Sequence, residues 1–311
     1  MKRFLSLVLT FVLTASSLFF ISGCDNANQE KKTDLNKLKI VSTIFPYYDF
    51  ARNIAGDKAE VTMLLSPGNE PHNYDPSPSD IVAIENCDIF IYNGGESDEW
   101  VESVLESLQN SNIKILKMMD FVNVLNEQET DHTISEELDE HIWTSIRNAE
   151  KLSGVISEAL IEIDSENSDY YSENALLYSQ MLSNVDNQIK HIVDNSSNNT
   201  VVFGDRFPFL YFVTDYGLNF ECAFPGCSSE TEPGISTVTR LIDYVRNEEI
   251  PVVFYLEFSN GKTASLIAED TNARTLEFSS CHNVTKKQFE DGISYISLMQ
   301  QNAKNLEEAL S

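Results

Sequence analysis

The chain has 311 residues, with 21 Lys and Arg against 49 Asp and Glu, for a net charge of −28. Hydrophobic residues make up 42 % and aromatics 10 %, enough apolar side chain for one or two packed cores, which excludes a largely disordered protein. A surface this acidic repels phosphate backbones and offers anionic lipid no basic patch, which argues against nucleic acid as a partner; its field favours cations, although on composition alone solubility is the preferred reading of such a surface.

Lys2 and Arg3 precede an uncharged apolar run over residues 4–21, then Ser22, Gly23, Cys24 and the polar stretch DNANQEKKTD. A positive start, an apolar middle and small residues at the end form a secretory signal, although the run is also near the length of a membrane-spanning helix. The quartet Ile21-Ser22-Gly23-Cys24 resembles a bacterial lipobox. That resemblance implies cleavage before Cys24, a lipid on its sulfur, and a protein tethered to the outer face of the cell membrane. Each buried acyl CH₂ then contributes about 0.8 kcal/mol of anchoring. Loss of Lys2 and Arg3 leaves 19 basic against 49 acidic side chains, a net −30.

From residue 38 onward short β-rich runs alternate with helical patterns. The expected strands are LKIVST, AEVTMLL, CDIFIY and IKILKM, with helices over 47–55, 78–85 and 100–109. A second set follows: TVVFGD, LNFECAF, PVVFYLE and ARTLEFS, with helices over 209–216, 236–247 and 263–271. Alternation of this kind predicts parallel sheets covered on both faces, and unbroken runs such as VVFYL fit strands buried on both sides. Residues 143–194 contain no proline and one glycine, with apolar residues at helical spacing. A helix over 169–194 would run on the order of 40 Å at 1.5 Å per residue, long enough to link two lobes, although a packed pair of helices within one domain fits the pattern too. The fold expected is therefore α/β: two lobes, each a roughly four-stranded parallel sheet flanked by helices, joined by a long rigid helix. Its divisions are a signal over 1–23, a flexible tether over 24–37, a first lobe over 38–166, the linking helix over 167–196, and a second lobe over 197–311.

Cys24 apart, four cysteines remain. Cys227 and Cys281 sit in polar loop sequence and form the pair expected to oxidise outside the cytoplasm, while Cys87 in ENCDIFIY reads as a small buried hydrophobe. The chain holds only five histidines. His72 in GNEPHNYDPSPSD and His282 in FSSCHN follow predicted strands, His141 in LDEHIWTS precedes the long helical region, and Asp205 directly follows TVVFG. The C-terminal edge of an open α/β sheet is where ligands bind, and imidazoles with a carboxylate suit Zn²⁺ and also serve Mn²⁺. With no HExxH and no CxxC pair, spacing alone leaves each of these as either a ligand or a hydrogen-bonded loop residue. His191 reads as a structural helix residue and His132 as a solvated one in an acidic loop. Glu230 and Glu232 read as a solvated loop and helix start.

The segments LKIVSTIFPYYDFARNIAGD, LLSPGNEPHNYDPSPSDI and DEHIWTS resemble those of the metal-specific solute-binding lipoproteins of bacterial ABC importers, the zinc and manganese group. The resemblance implies one divalent metal in a cleft between two lobes, handed to a membrane permease driven by a cytoplasmic ATPase. It also implies that His72 and His141 are the first two ligands. The third falls within FGDRFPFLYFVTDYG, where Asp205 is the nearest group able to coordinate, and the fourth within FSSCHN, where His282 is preferred over Cys281. Glu257 is held in reserve, Asp75 is the expected partner of the other His72 nitrogen, and Arg206 could instead pair with Asp205. The reading is a monomeric Zn²⁺ receptor, not an enzyme. Two other classes stand beside it: a secreted zinc-dependent hydrolase with Glu257 as general base, and an adhesion lipoprotein.

Overall fold

Runs of Ile, Val, Phe and Tyr without polar alternation form the strands of two parallel sheets. The structure, a computed structural model, describes residues 37–70, 74–110, 112–226 and 233–311. The signal, Cys24, the tether up to residue 36, His72, Cys227, Glu230 and Glu232 lie outside the described residues.

The first sheet contains β1 (Leu38–Ser42), β2 (Ala59–Met63), β3 (Ile89–Tyr92) and β4 (Lys114–Lys117) in the order β2-β1-β3-β4. Its pairs are parallel, with Ile40 opposite Val61 on one side and Ile89 on the other. Helices α1 (Phe45–Ala55), α2 (Pro78–Glu85) and α3 (Trp100–Ser107) make the crossovers. The start of α2 is fixed by a capping box, in which Ser77 accepts from the Asp80 amide and Asp80 accepts from the Ser77 amide.

Next comes an element that the sequence pattern did not predict. Where an acidic loop was expected, β5 (Asn126–Gln128) and β6 (Ile134–Leu138) pair as an antiparallel hairpin. Helices α4 (Ile146–Ile163) and α5 (Ser168–Asn195) follow, broken at Asp164. The 28 residues of α5 would span roughly 42 Å.

The second sheet repeats the first: β7 (Thr200–Phe203), β8 (Asn219–Cys222), β9 (Val252–Tyr255) and β10 (Arg274–Glu277), all parallel, in the order β10-β9-β7-β8. Its crossovers are α6 (Leu210–Tyr216), α7 (Ile235–Asn247) and α8 (Lys262–Glu269). The close approach of α8 requires Gly204, because a Cβ there would lie 2.5 Å from the Ala264 Cα. The chain ends in α9 (Lys286–Glu290) and α10 (Tyr295–Leu310), and α10 returns to pack on α5 and α1. Among the described residues no helix is long and apolar enough to cross a membrane.

Both sheets reverse their strand order beside the first strand, which opens a crevice beyond the strands' C-terminal ends. The two lobes are not separate cores. One buried cluster runs from Ile40, Phe45 and Phe50 through Trp143, Tyr178 and Tyr295 to Phe203 and Phe254. At its centre the buried Asp49 carboxylate accepts from Arg52, from the Tyr178 hydroxyl at 3.0 Å and from the Tyr295 amide at 3.0 Å, tying α1 to α5 and α10.

Candidate metal centre

His141 follows the hairpin and opens a single helical turn, Ile142–Thr144, which fixes its backbone. Its side chain is buried, and Nδ1 donates to Asp139 Oδ1 at 3.0 Å while the His141 amide donates to the same oxygen at 2.8 Å. Asp139 is itself held, because the Tyr211 hydroxyl donates to its carbonyl at 2.6 Å. With Nδ1 committed to Asp139, Nε2 is the ring nitrogen by which His141 could coordinate a metal. Burial alone would lower the His141 pKa, but the Asp139 charge and hydrogen bond, with Glu140 and Glu127 behind them, outweigh it and hold the imidazole above its ordinary value.

His282 comes from the opposite lobe, in the loop after β10. It is buried, and its ring centroid lies 5.9 Å from that of His141 at 88°. Trp143 is the floor beneath both rings, 5.5 Å from His141 and 4.5 Å from His282. The indole is anchored across the lobes by Nε1, which donates to the Ser280 carbonyl at 2.8 Å.

His141 and His282 line one small cavity together with Glu70, Arg206, Gly226, Glu257 and Ser280. Its volume of about 30 Å³ suits an ion or a water, far below the roughly 300 Å³ from which clefts for organic ligands begin. Glu257 accepts from the Ser280 amide at 2.7 Å and from the Ser280 hydroxyl, and burial pushes its carboxyl up to about 7. Glu70 pairs with Arg206 at 3.2 Å.

The remaining expected residues are distributed differently. Asp205 does not line the cavity: its two oxygens accept from the amides of Arg206 at 2.9 Å and Leu256 at 3.3 Å, so it braces the loop after β7. Arg206 reaches Glu70 and not Asp205. Cys281 is a buried free thiol turned toward the Ser279 carbonyl and Met299, both 3.8 Å from its sulfur, and its expected disulfide partner Cys227 lies outside the described residues. His72 also lies outside them, so the part expected of Asp75 as its hydrogen-bond partner has no counterpart here. The segment that leads to His72 is fastened beside His282: Asn283 Nδ2 donates to the carbonyls of Ser66 and Asn69, each at 2.9 Å, and the Gly68 amide donates to Val284 at 2.8 Å.

His191 is exposed on α5 instead of packed, and Cys87 is buried as expected. His132, at the hairpin tip, packs edge-on to Phe220 at 5.0 Å with Nε2 3.6 Å from Glu221. Asp139 and Trp143 were legible only as neighbours of His141 in LDEHIW; nothing in composition singles out Glu70 or Gly226. Among the described residues no three His, Cys, Asp or Glu side chains already stand as a ligating group.

Residues 40–309 match the family described as zinc-uptake complex component A, periplasmic (ZnuA). The chain is 26 % identical over 310 residues to the high-affinity zinc uptake system protein ZnuA of Bacillus subtilis (strain 168), covering 96 % of each. It is 28 % identical over 308 residues to the zinc-binding lipoprotein AdcA of Streptococcus pneumoniae (strain R6), covering 96 % of this chain but 60 % of AdcA, so it spans only part of that relative. The crystal structure of the Zn(II)-bound ZnuA-like domain of S. pneumoniae AdcA matches with a TM-score of 0.76 at 27 % identity, over 88 % of this chain and 99 % of that domain. Since the match runs through both lobes and the helix between them, the chain belongs to the family of periplasmic zinc-uptake complex component A.

Proposed function

We propose that the chain is an extracytoplasmic receptor that captures one Zn²⁺ between its lobes and delivers it to an ABC permease driven by a cytoplasmic ATPase. The observation that carries this reading is the buried pair His141 and His282, one from each lobe, 5.9 Å apart in a cavity of ionic size. Family membership supports uptake as the purpose of the site. His72 joins the pair as a ligand in this reading, on the strength of its Pro-His loop and of the attachment of that loop beside His282. Asp205 leaves the ligand set, since both its oxygens are engaged with backbone amides.

Nitrogen-rich coordination favours Zn²⁺, with Mn²⁺ the weaker cargo. Cys24 carries the lipid that holds the receptor at the membrane, and the protein works as a monomer. Membership of an uptake-complex family leaves the hydrolase and adhesion readings without support. The test is zinc titration of the full-length chain by competition with a chromogenic chelator. His141→Ala and His282→Ala should each lower affinity by 100-fold or more. Unchanged affinity in both variants would remove the cleft as the zinc site.

A further inference from the structure

The loop that carries His282 passes through a sparsely populated backbone conformation. Cys281, the residue before it, has a φ of 60°, in the left-handed region that side chains other than glycine seldom enter. Two serine hydroxyls stitch this turn: Ser279 Oγ accepts from the Cys281 amide at 3.1 Å, and Ser280 Oγ accepts from the His282 amide at 3.2 Å. Side-chain-to-backbone bonds of this reach, two residues on, close short turns. On its other side the His282 carbonyl accepts from the Phe45 amide, at the start of α1 in the first lobe, at 3.3 Å.

Ser280 is the junction of the loop. Its carbonyl accepts from Trp143 Nε1 at 2.8 Å, while its amide, at 2.7 Å, and its hydroxyl both donate to Glu257. Glu257 follows β9 and Ser280 follows β10, so the carboxylate ties the C-terminal edges of two neighbouring parallel strands. A serine hydroxyl has one hydrogen. With that hydrogen directed at Glu257 Oε1, the lone pairs of Ser280 Oγ are left to the His282 amide. A carboxylate suits the place because it accepts at both oxygens. An amide there would meet one of the two Ser280 donors with a donor of its own.

We infer that Glu257 is a positioning residue of the metal centre: through Ser280 it sets the backbone of His282 and so the aim of that imidazole across the cavity. The inference rests on the reading of the cleft as the zinc site. In this assignment Glu257 makes no bond to the ion. It is the fixed point from which the second lobe directs its histidine toward His141.

The test is a double-mutant cycle in the full-length chain at pH 8: Glu257→Gln, Ser280→Ala and the two together, with His282→Ala alongside. Each is titrated with Zn²⁺ against a chelator and with Co²⁺ by visible absorption, which reports the donor set and its geometry. Each single variant should lose about 10–100-fold in Zn²⁺ affinity. The double variant should lose no more than about threefold beyond the more affected single, because one connection is cut twice. The Co²⁺ bands should shift alike in both singles and differ from those of His282→Ala, where a nitrogen donor is gone. A loss in Glu257→Gln with parent-like affinity in Ser280→Ala would make Glu257 act on the ion directly and overturn the assignment, as would losses that multiply in the double variant. Weaker binding with parent-like Co²⁺ bands would reduce the effect to general destabilisation and overturn it too. Parent-like affinity in both singles with a loss in His282→Ala would strike this inference alone, whereas parent-like affinity in His282→Ala would strike the zinc-site reading beneath it. Should Glu257→Gln fail to fold, Ser280→Thr, which keeps the hydroxyl, decides against Ser280→Ala: affinity recovered in the Thr variant supports the role, and equal affinity in the two refutes it.

Discussion

Asp139→Asn isolates what the carboxylate behind His141 contributes, because it keeps the shape and one acceptor oxygen and removes the charge. In the parent, Oδ1 takes both the His141 amide at 2.8 Å and Nδ1 at 3.0 Å, so ring orientation and tautomer are set from one atom. Partners of this kind are worth about 10–100-fold in metal affinity, or about 1.4–2.7 kcal/mol. The pH dependence carries a second signature. His141 is buried, which lowers its pKa, yet the Asp139 charge raises it above the ordinary value. Metal competes with protons for the neutral ring, so parent affinity is full above that raised pKa and falls as pH drops through it. Metal-free stability runs the other way: a histidine with a raised folded-state pKa contributes stability that is present below about 6.5 and lost as pH rises through the folded value. Removing the Asp139 charge leaves burial dominant and lowers the pKa. Asp139→Asn should thus bind Zn²⁺ about 10–100-fold more weakly at pH 7.5, yet begin to lose it at a more acidic pH than the parent. Chelator-competition titrations from pH 5 to 8 measure both quantities. Parent-like affinity with an unmoved acid midpoint would refute the positioning argument.

Asp49→Ala breaks the buried junction with Arg52, Tyr178 and Tyr295 and should cost about 3–5 kcal/mol in urea unfolding, with m unchanged. Trp143→Phe removes the bond to the Ser280 carbonyl and should cost roughly 1–3 kcal/mol, with weaker zinc binding as the floor of the site loosens. Asp98, whose carboxyl burial pushes up to about 7 against the amides of Asn93 and Gly94, binds a proton on folding, so stability should fall as pH rises from its unfolded value through 7. Asp98→Asn should flatten that slope in unfolding curves taken at several pH values. Saturating zinc at 100 times Kd should stabilise the parent by about 2.7 kcal/mol at pH 7.5, and that increment should shrink in acid.

The eight sheet strands were legible because parallel strands buried on both faces read as unbroken apolar runs, VVFYL and CDIFIY among them. Strand order was not, since no local pattern tells β3 to pair with β1 and not with β2. The hairpin was missed for a physical reason: its apolar residues face solvent and an acid faces inward, so periodicity, which assumes the opposite, reads a polar loop. His141 and His282 stood out by scarcity and by position at element ends. Asp205 also sat at a strand end, but the loop after β7 turns its oxygens onto Arg206 and Leu256, and an orientation of that kind is decided by tertiary contacts. Glu70, Gly226 and Trp143 matter through partners more than 60 residues away in sequence, beyond the reach of any local pattern.

The continuous core limits how a cargo can enter and leave. Wide hinging of the lobes would have to separate Tyr295 from the Trp143 carbonyl, at 2.6 Å, and from Asp49, and would expose part of a cluster that includes Phe50, Tyr178 and Phe203. At about 1.5–3 kcal/mol for each large side chain brought into water, a few such residues equal the whole stability of an ordinary domain. The contacts around the site are of another kind. Among the described residues the loop before His72 is joined to Asn283 and Val284 by hydrogen bonds and to Arg206 by the Glu70 ion pair, and the hairpin tip meets the second lobe where His132 packs on Phe220 with Nε2 3.6 Å from Glu221. At about 1 kcal/mol per hydrogen bond, opening there costs little compared with parting the core. If the proposed site holds the ion, its exchange is expected to go through the loops, with the two imidazoles keeping their spacing because Trp143, which packs on both, belongs to the buried core.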